Sequence, residues 1–198
     1  MAEISAALVK ELRERTGAGM MDCKKALQET GGDLDRAVDW LRQKGLSQAA
    51  KLASRTANEG LVDAYIHMGG KIGVLVEISC ETDFVAKTPD FKELLHDVAM
   101  HIAAAAPRYV RREDVPPDVV EAERRIQLAR VREEGKPEHV AEKIVAGRME
   151  KFFQEICLEE QPFVKDPSKT VKERVQETSA KLGEKMEIRR FARFQVGQ

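Results

Sequence analysis

The chain has 198 residues, with 33 basic and 34 acidic side chains and a formal net charge of −1. A protein that binds nucleic acid mainly by neutralising phosphates usually carries a basic excess, and this composition has none as a whole. No basic lead followed by an apolar core opens the sequence, and no apolar run approaches the length of a membrane span. These features predict a cytoplasmic protein with no membrane partner and no direct nucleic-acid partner.

The three cysteines, Cys23, Cys80 and Cys157, are far apart in the sequence and form no C-x-x-C pair. We therefore expect reduced thiols, as in most intracellular proteins. A disulfide that joins two copies of the chain is a second possibility, which the sequence leaves open.

Residues 1–45 show three apolar stripes at helical spacing, which predict three short helices. The stripes are Ile4, Leu8 and Leu12; Met20, Cys23 and Leu27; and Leu34, Ala37, Val38 and Leu41. Asp33 is a natural N-cap for the third helix, which we expect to end before Gly45. A bundle of this size buries little area and is typical of a binding module attached to a larger domain. The Ala-, Lys- and Ser-rich stretch at 46–58 then predicts a helical linker.

The core domain is predicted over residues 59–198 and begins with a β-hairpin at 60–79. Two β-rich runs flank Gly69-Gly70, and such glycine pairs supply the positive φ that hairpin turns need. A hairpin alone is not stable, so we expect a third antiparallel strand at 186–196.

Between the hairpin and the last strand, residues 82–183 are predicted to be almost entirely helical. Thr88 and Pro89 form an N-cap and a first-turn proline that open one helix. Two long helices between about 116 and 160 predict a helical hairpin, and a capping box at Thr170 opens a final helix. The fold class is therefore α+β: a three-helix module, a small three-stranded antiparallel sheet with helices on one side, and a long helical hairpin.

Motifs for catalysis or cofactor binding do not occur in the sequence. It has neither a G-x-x-x-x-G-K-[ST] phosphate loop nor a G-x-G-x-x-G turn. Glu93 and His96 form one E-x-x-H half-motif, but a di-iron bundle needs two such pairs and two further glutamates. The histidines, which do not fall at zinc spacing, are His67, His96, His101 and His139. We expect no enzyme activity, no cofactor and no metal in this chain.

The C-terminal segment 189–194 interleaves arginines with aromatic residues, as some RNA-binding strands do. The simpler interpretation is a strand with Phe and Val on its buried face and Arg stems along its edge. An RNA-binding strand stays as an alternative function.

The segment 77–86 leaves a predicted strand and enters a helix, a position where loops commonly carry function. From the residues alone, the simplest interpretation is that Thr82 caps a short helix and Phe84 seals the core beneath it. The alternative is that Thr82, Asp83, Phe84 and Val85 form an exposed working tip.

The segment 77–86 also resembles a signature of the elongation factor Ts family, the bacterial exchange factors for the translational GTPase elongation factor Tu. A second signature of that family resembles residues 12–27. Shorter similar stretches follow in chain order at 55–60, 135–138, 161–165 and 188–197. Ser79 stands where the family commonly has Asn, a single change in an otherwise intact signature.

The resemblance implies that the three-helix module is similar to ubiquitin-associated domains and docks on the GTPase domain of elongation factor Tu. The residues it implies for this docking are Arg13, Thr16, Gly17 and Met20. It also implies that the segment 82–85 enters beside the partner's magnesium and phosphate site. Asp83 is then the electrostatic group and Phe84 the mechanical one, and the magnesium belongs to the partner.

Many members of the family carry two related half-cores, each a small sheet with helices. This chain has one hairpin and one closing strand, which predicts a single half-core. A second copy would supply the other half, so we expect a homodimer in a two-plus-two complex, with the last strand or the helices as its interface. A helical adaptor that binds another protein through residues 1–45 stays as an alternative function.

Overall fold

A computed structural model describes residues 4–52, 54–135 and 137–197. Residue 53 of the predicted linker and residue 136 between the two predicted long helices lie outside the described residues. The architecture is α+β, as the sequence predicts. The helices are α1 Ala6–Thr16, α2 Met20–Glu29, α3 Leu34–Leu52, α4 Asp83–Ala86, α5 Pro89–Ala105, α6 Pro117–Glu133, α7 Glu138–Ile156 and α8 Val171–Leu182. The strands are β1 Glu59–Ile66, β2 Ile72–Cys80, β3 Pro162–Phe163, β4 Asp166–Thr170 and β5 Glu187–Gln195.

The described residues divide into two units, and each unit is built from three stretches of the chain. The first unit draws on Met1–Leu61, Ile78–Leu94 and Glu173–Glu187, and the second on Val62–Glu77, Leu95–Lys172 and Ile188–Gln198. The domain boundaries expected from the sequence, at residues 45 and 58, remain a prediction.

The first three helices form a small bundle in the first unit. Ser5 caps α1, because its Oγ accepts the Leu8 N–H at 3.2 Å. The helix ends at Gly17, whose φ of +66° is left-handed and whose N–H returns to the Arg13 carbonyl oxygen at 2.7 Å. The buried core of the bundle consists of Val9, Leu12, Cys23, Ala26, Leu27 and Ala37. Every residue of the three predicted stripes belongs to this core or packs against it, except Met20, which is 58% exposed.

Helix α3 does not end before Gly45 but continues to Leu52, so the predicted helix end is wrong. A methyl group at Gly45 would lie 3.8 Å from the Cβ of Ala180 on α8. Arg42 Nη2 and Glu173 Oε1 form an ion pair between the same two helices at 3.0 Å. Gly45 therefore lies inside a helix that packs on α8 within the first unit, and the sequence alone does not distinguish such a glycine from one at a helix end.

The three-stranded sheet is antiparallel and has the strand order β1-β2-β5. The turn between β1 and β2 is closed by the His67 N–H to the Ile72 carbonyl oxygen and by the Gly70 N–H to the His67 carbonyl oxygen, both at 2.9 Å. The three strands of the sheet lie within one residue of the bounds expected for the hairpin and for the closing strand. Large apolar side chains of this sheet that stay exposed are Val62 and Ile66 on β1, Leu75 on β2 and Phe194 on β5.

Strand β5 departs from the expected pattern of buried Phe and Val. Phe191 is half-buried, whereas Phe194 and Val196 are 71% and 74% exposed. The two phenylalanines are three residues apart, and residues at odd spacing point to opposite faces of a strand. Arg190 Nε donates to Glu77 Oε2 at 2.7 Å, so this arginine is engaged on the neighbouring strand.

The two long helices of the second unit, α6 and α7, pack on each other in the region expected for the helical hairpin. Their shared buried side chains are Val131, Ala141, Val145 and Met149. Arg112, which precedes α6, pairs with Glu150 of α7 at 2.5 Å and with Glu160, and lies 4.6 Å from the centre of the Phe153 ring. Arg112 therefore links the segment before α6 to α7 and to the segment that follows α7.

A second, two-stranded sheet, β3-β4, occupies residues 162–170, where the sequence predicts no strand. These strands are only two and five residues long, contain Pro162 and Pro167, and show no apolar alternation, so no sequence pattern announces them. Buried His101 of α5 binds the chain on both sides of β3: its Nε2 lies 3.0 Å from Gln161 Oε1, and its Nδ1 accepts the Val164 N–H at 3.2 Å.

Candidate partner-binding site

The segment singled out by the sequence begins where β2 ends. Cys80 is fully buried, and its Sγ donates to the Thr82 carbonyl oxygen at 3.1 Å. Thr82 has an extended backbone, and its Oγ1 accepts the Val85 N–H at 3.4 Å. The helix that follows, α4, is a single turn whose last residue, Ala86, is buried. The prediction that Thr82 caps a short helix is confirmed.

Phe84 is 79% exposed, so the simplest interpretation from the sequence, a phenylalanine that seals the core, is wrong. Residues of a helix follow each other at about 100°, so a turn that buries Ala86 directs the side chain two positions earlier to the opposite side. Aromatic side chains are enriched among the residues that dominate protein–protein binding energy. We call residues 82–85 the tip from here on.

Asp83 lies next to Phe84 in the tip and is exposed. Its Oδ2 is 2.6 Å from the Nζ of Lys87, one helical turn later. The hydrogen bond from Lys87 lowers the pKa of the Asp83 carboxyl below its ordinary value. The tip therefore presents an ionised carboxylate and an aromatic ring side by side at neutral pH.

Glu184 binds the backbone at the start of the tip. Sequence analysis could not predict this contact, because Glu184 lies 102 residues after Thr82. Its Oε2 accepts the backbone N–H groups of Glu81 and Thr82 at 3.1 and 3.0 Å. Its Oε1 accepts the Thr82 hydroxyl at 2.6 Å. All of these groups belong to the first unit.

The residues that the resemblance assigns to docking lie around the end of α1 and the start of α2. Thr16 and Gly17 shape the chain here, since the Thr16 hydroxyl donates to the carbonyl oxygen four residues earlier at 2.7 Å. Arg13 and Met20 instead present their side chains to solvent. Met21, which the sequence analysis did not assign, is 77% exposed and extends the apolar surface of Met20.

Both groups of residues lie in the first unit, and the end of α8 contacts each of them. A methyl group at Gly17 would lie 3.5 Å from Lys181 Nζ, and this ammonium pairs with Asp90 Oδ1 at 2.7 Å. Three residues later, Glu184 binds Thr82. We call the turn at Gly17 the docking turn; one short segment, from Lys181 to Glu184, lies beside this turn and binds Thr82 of the tip.

The three thiols are all buried. Burial raises the pKa of Cys80 and of Cys157 to about 11, and it raises the pKa of Cys23 as well. Neutral, enclosed thiols react slowly. A disulfide between two copies of the chain would therefore require the surrounding structure to open first.

Within the described parts of the chain, no three His, Cys, Asp or Glu side chains are placed to share a metal ion. His96 of the E-x-x-H half-motif has other contacts: its Nδ1 lies 3.5 Å from Asp63 Oδ2, and its ring meets Tyr65 edge-on at 5.6 Å. No helix among the described residues is long and apolar enough to cross a bilayer.

Comparison with known proteins agrees with the signatures around the tip and the docking turn. The sequence model of the family described as elongation factor TS matches residues 45–198. Elongation factor Ts of Desulforamulus reducens is 61% identical over 198 residues, which is 100% of this chain and 91% of that protein. The proteins of the same name from Carboxydothermus hydrogenoformans and Moorella thermoacetica are 63% and 61% identical over 195 residues, covering 98% of this chain and 90% and 96% of theirs.

The α+β core, the N-terminal helices and these relatives define a translation elongation factor. The chain belongs to the elongation factor Ts family.

Proposed function

We propose that this chain is a guanine-nucleotide exchange factor that binds the GDP form of elongation factor Tu and promotes GDP release during translation elongation. The observation that carries the proposal is the tip, in which Phe84 is 79% exposed beside an ionised Asp83 on a capped turn. In this role the chain works in the cytoplasm and changes no covalent bond, so it is not an enzyme in the chemical sense.

The two side chains of the tip have different tasks. A carboxylate brought close to a hydrated magnesium ion and a phosphate competes for metal coordination and repels the phosphate. An aromatic side chain inserted between packed helices or strands of the partner can switch them from one packing arrangement to another, because packed elements adopt a few discrete arrangements. Asp83 therefore disturbs the partner's magnesium and phosphate site, while Phe84 moves the elements that hold it.

The N-terminal module supplies affinity in this scheme. Met20 and Met21 are exposed, and methionine adapts well to irregular apolar surfaces. Arg13 offers a charge that can pair with an acidic group of the GTPase domain. Because the module docks away from the nucleotide, its contacts are equally available before and after release, so it holds the factor in place without itself favouring either state.

Linkage sets the energetic requirement. The factor accelerates release if it binds the nucleotide-free partner better than the GDP form, and GDP then weakens binding of the factor by the same ratio. A coupling of about 1–3 kcal/mol corresponds to about 5- to 150-fold in affinity. Contacts of the tip must supply this difference, since the docking contacts do not change.

Release of fluorescent GDP from elongation factor Tu, followed by stopped flow with excess unlabelled GDP, tests the proposal. We expect the release rate to rise with the concentration of the chain and to saturate. Arg13→Ala is a useful comparison, because loss of a docking contact raises the half-saturating concentration and leaves the maximum unchanged. A release rate that equals the rate without the chain, at every concentration, would refute the exchange function. Two alternative functions would then remain. A helical adaptor would bind its partner without releasing nucleotide, and an RNA-binding protein would lose affinity steeply as the salt concentration rises.

We further propose that the chain works as a homodimer in a two-plus-two complex, with the outer face of the three-stranded sheet as the contact between copies. The exposed apolar side chains of this face are Val62, Ile66, Leu75 and Phe194. Monomeric proteins seldom leave a contiguous apolar surface in water, because burial of apolar area stabilises by about 25 cal/mol per Å². A second copy would cover this face and supply the second half-core.

A further inference from the structure

Two glutamates link the segment just after α8 to the chain that enters the tip. The carboxylate of each glutamate accepts backbone N–H groups of the other segment. Glu184 accepts the backbone N–H groups of Glu81 and Thr82 through Oε2, at 3.1 and 3.0 Å. In return, Glu81 Oε1 accepts the Lys185 N–H at 2.7 Å. Each segment therefore satisfies backbone donors of the other, and the two are held in one register. We call this pair of contacts the carboxylate clasp.

Glu184 also decides which way the Thr82 hydroxyl points. The hydroxyl hydrogen is committed to Glu184 Oε1 at 2.6 Å, so an oxygen lone pair of Thr82 is left to accept the Val85 N–H. Hydrogen bonds to an ionised acceptor are about twice as strong as neutral ones. The charge on Glu184 therefore strengthens the cap that starts α4 and directs Phe84 outward.

The clasp is itself fixed from both sides. The Ser179 hydroxyl donates to the Glu184 carbonyl oxygen at 2.5 Å, and the N–H of Gly183 returns to the Ser179 carbonyl oxygen at 2.8 Å. On the other segment, Arg55 Nη1 lies 3.4 Å from Glu81 Oε1. Glu184 therefore has a defined position even though the tip it supports is exposed.

We propose that Glu184 is a positioning residue for the exchange reaction: it keeps the tip in its binding-competent conformation before the partner arrives. The proposal rests on the exchange function proposed above. A tip that is competent only part of the time can act in only that fraction of the docked complexes. Because the N-terminal module supplies the affinity in the proposed scheme, loss of the clasp charge should lower the maximal release rate while the half-saturating concentration stays the same.

Glu184→Gln is the test variant, because it keeps the size of the side chain and an oxygen for the two N–H groups but offers an amide to the Thr82 hydroxyl. We expect the maximal rate in the GDP-release assay to fall about tenfold, as for loss of one charge-assisted hydrogen bond, and the half-saturating concentration to stay the same. Glu93→Gln, the same change at an exposed glutamate of the first unit, should behave as the wild-type chain. In a Thr82→Ala background, which lacks the hydroxyl, Glu184→Gln should have little further effect.

Hydrogen exchange of the Glu81 and Thr82 amides in the free chain gives a readout that needs no partner. We expect faster exchange of these amides in Glu184→Gln and no change in Glu93→Gln. An unchanged maximal release rate, or an equal effect of Glu184→Gln with and without the Thr82 hydroxyl, would overturn the positioning role. If the wild-type chain releases no GDP, both the exchange function and the positioning role are refuted. Hydrogen exchange of the two amides then tests only whether the carboxylate clasp exists in the free chain.

Discussion

Lys87 Nζ lies 2.6 Å from Asp83 Oδ2, so the acid of the tip is already paired in the free chain. The pair is exposed on both sides and joins residues one helical turn apart. In the proposed function, Asp83 would have to give up this lysine in order to act on the partner's magnesium site. The first prediction concerns this pair.

Lys87→Met should raise the pKa of Asp83 toward its ordinary value, because the hydrogen bond from Lys87 is the main cause of its depression. A carboxyl with a depressed pKa stabilises the fold above its unfolded pKa, and this contribution is lost as the pH falls through the folded value. We expect only a small decrease in melting temperature at pH 7, since an exposed pair contributes little to stability. An NMR titration of the Asp83 carboxyl carbon measures the shift, with Lys92→Met as control. Identical Asp83 pKa values in Lys87→Met and wild type would contradict this assignment.

Gly60→Ala should destabilise the first unit strongly. A methyl group at this position would lie 2.3 Å from the Ile78 carbonyl oxygen and 2.7 Å from the Ser79 Cα, and the φ of +148° is one that other residues rarely adopt. Neither obstacle is a flexible side chain, so we expect a loss of roughly 2–4 kcal/mol in unfolding free energy from overpacking and backbone strain. Urea unfolding measures it.

The control for this substitution is Gly147→Ala in α7, where a methyl group meets no atom within 4 Å. Alanine is favoured over glycine in a helix by about 1 kcal/mol, so Gly147→Ala should be neutral or stabilising. If Gly60→Ala were as stable as Gly147→Ala, β1 and β2 could not be as close at Gly60 as described.

The sequence identifies the caps and turns of this protein better than its exposed residues. Thr82, Thr88 and the Gly69-Gly70 pair act locally, so their roles can be predicted from neighbouring residues. The exposure of Phe84 cannot be predicted in that way, because the groups that orient the tip include Glu184, 102 residues later in the chain. The family resemblance supplied the role of the tip, whereas the residues alone favoured a buried phenylalanine.

Glycine positions show the same limit. Gly45 predicts a helix end from its sequence context, but it lies inside α3, which packs on Ala180 of α8. The two strands at 162–170 have no alternation that would predict them, and the residues on either side of β3 are bound by His101, about sixty residues earlier. In each case the deciding contact is remote in sequence.

His101 should make the stability of the second unit depend on pH. Burial lowers its pKa, so the ring is neutral in the folded chain and its Nδ1 is free to accept the Val164 N–H. Asp97 lies one turn earlier on α5 and pairs with Lys165 at 2.5 Å. As the pH falls below the ordinary His pKa of about 6.5, the unfolded chain takes up a proton that the folded chain refuses. Stability is therefore lost on acidification, by at most about 1.4 kcal/mol per pH unit from this residue.

His101→Asn tests this account, because an amide oxygen can accept the Val164 N–H but does not titrate. We expect the variant to be less stable than wild type at pH 7.5, and to lose less stability than wild type between pH 7.5 and pH 5.5. Urea unfolding at the two pH values measures both quantities. An equal loss in the two proteins would show that His101 does not contribute to the pH dependence.

Leu75→Lys should dissociate the proposed homodimer. Leu75 is 49% exposed on the central strand of the sheet, so a charge there would be buried in the contact between copies. Ile126→Lys is the matched control, since Ile126 is 46% exposed on α6 and outside the sheet. Sedimentation velocity should show a dimer for the wild type and Ile126→Lys and a monomer for Leu75→Lys. A wild-type chain that is monomeric at micromolar concentration would contradict the proposed homodimer.

The central claim is that the exposed tip, rather than docking alone, loosens the nucleotide. The most direct test is the maximal rate of GDP release from elongation factor Tu at saturating concentrations of Phe84→Ala and of the wild-type chain. We expect the variant to bind and to keep its fold, while its maximal rate falls by about tenfold or more, because an interaction made in the nucleotide-releasing state is lost. Equal maximal rates for Phe84→Ala and wild type would contradict the claim.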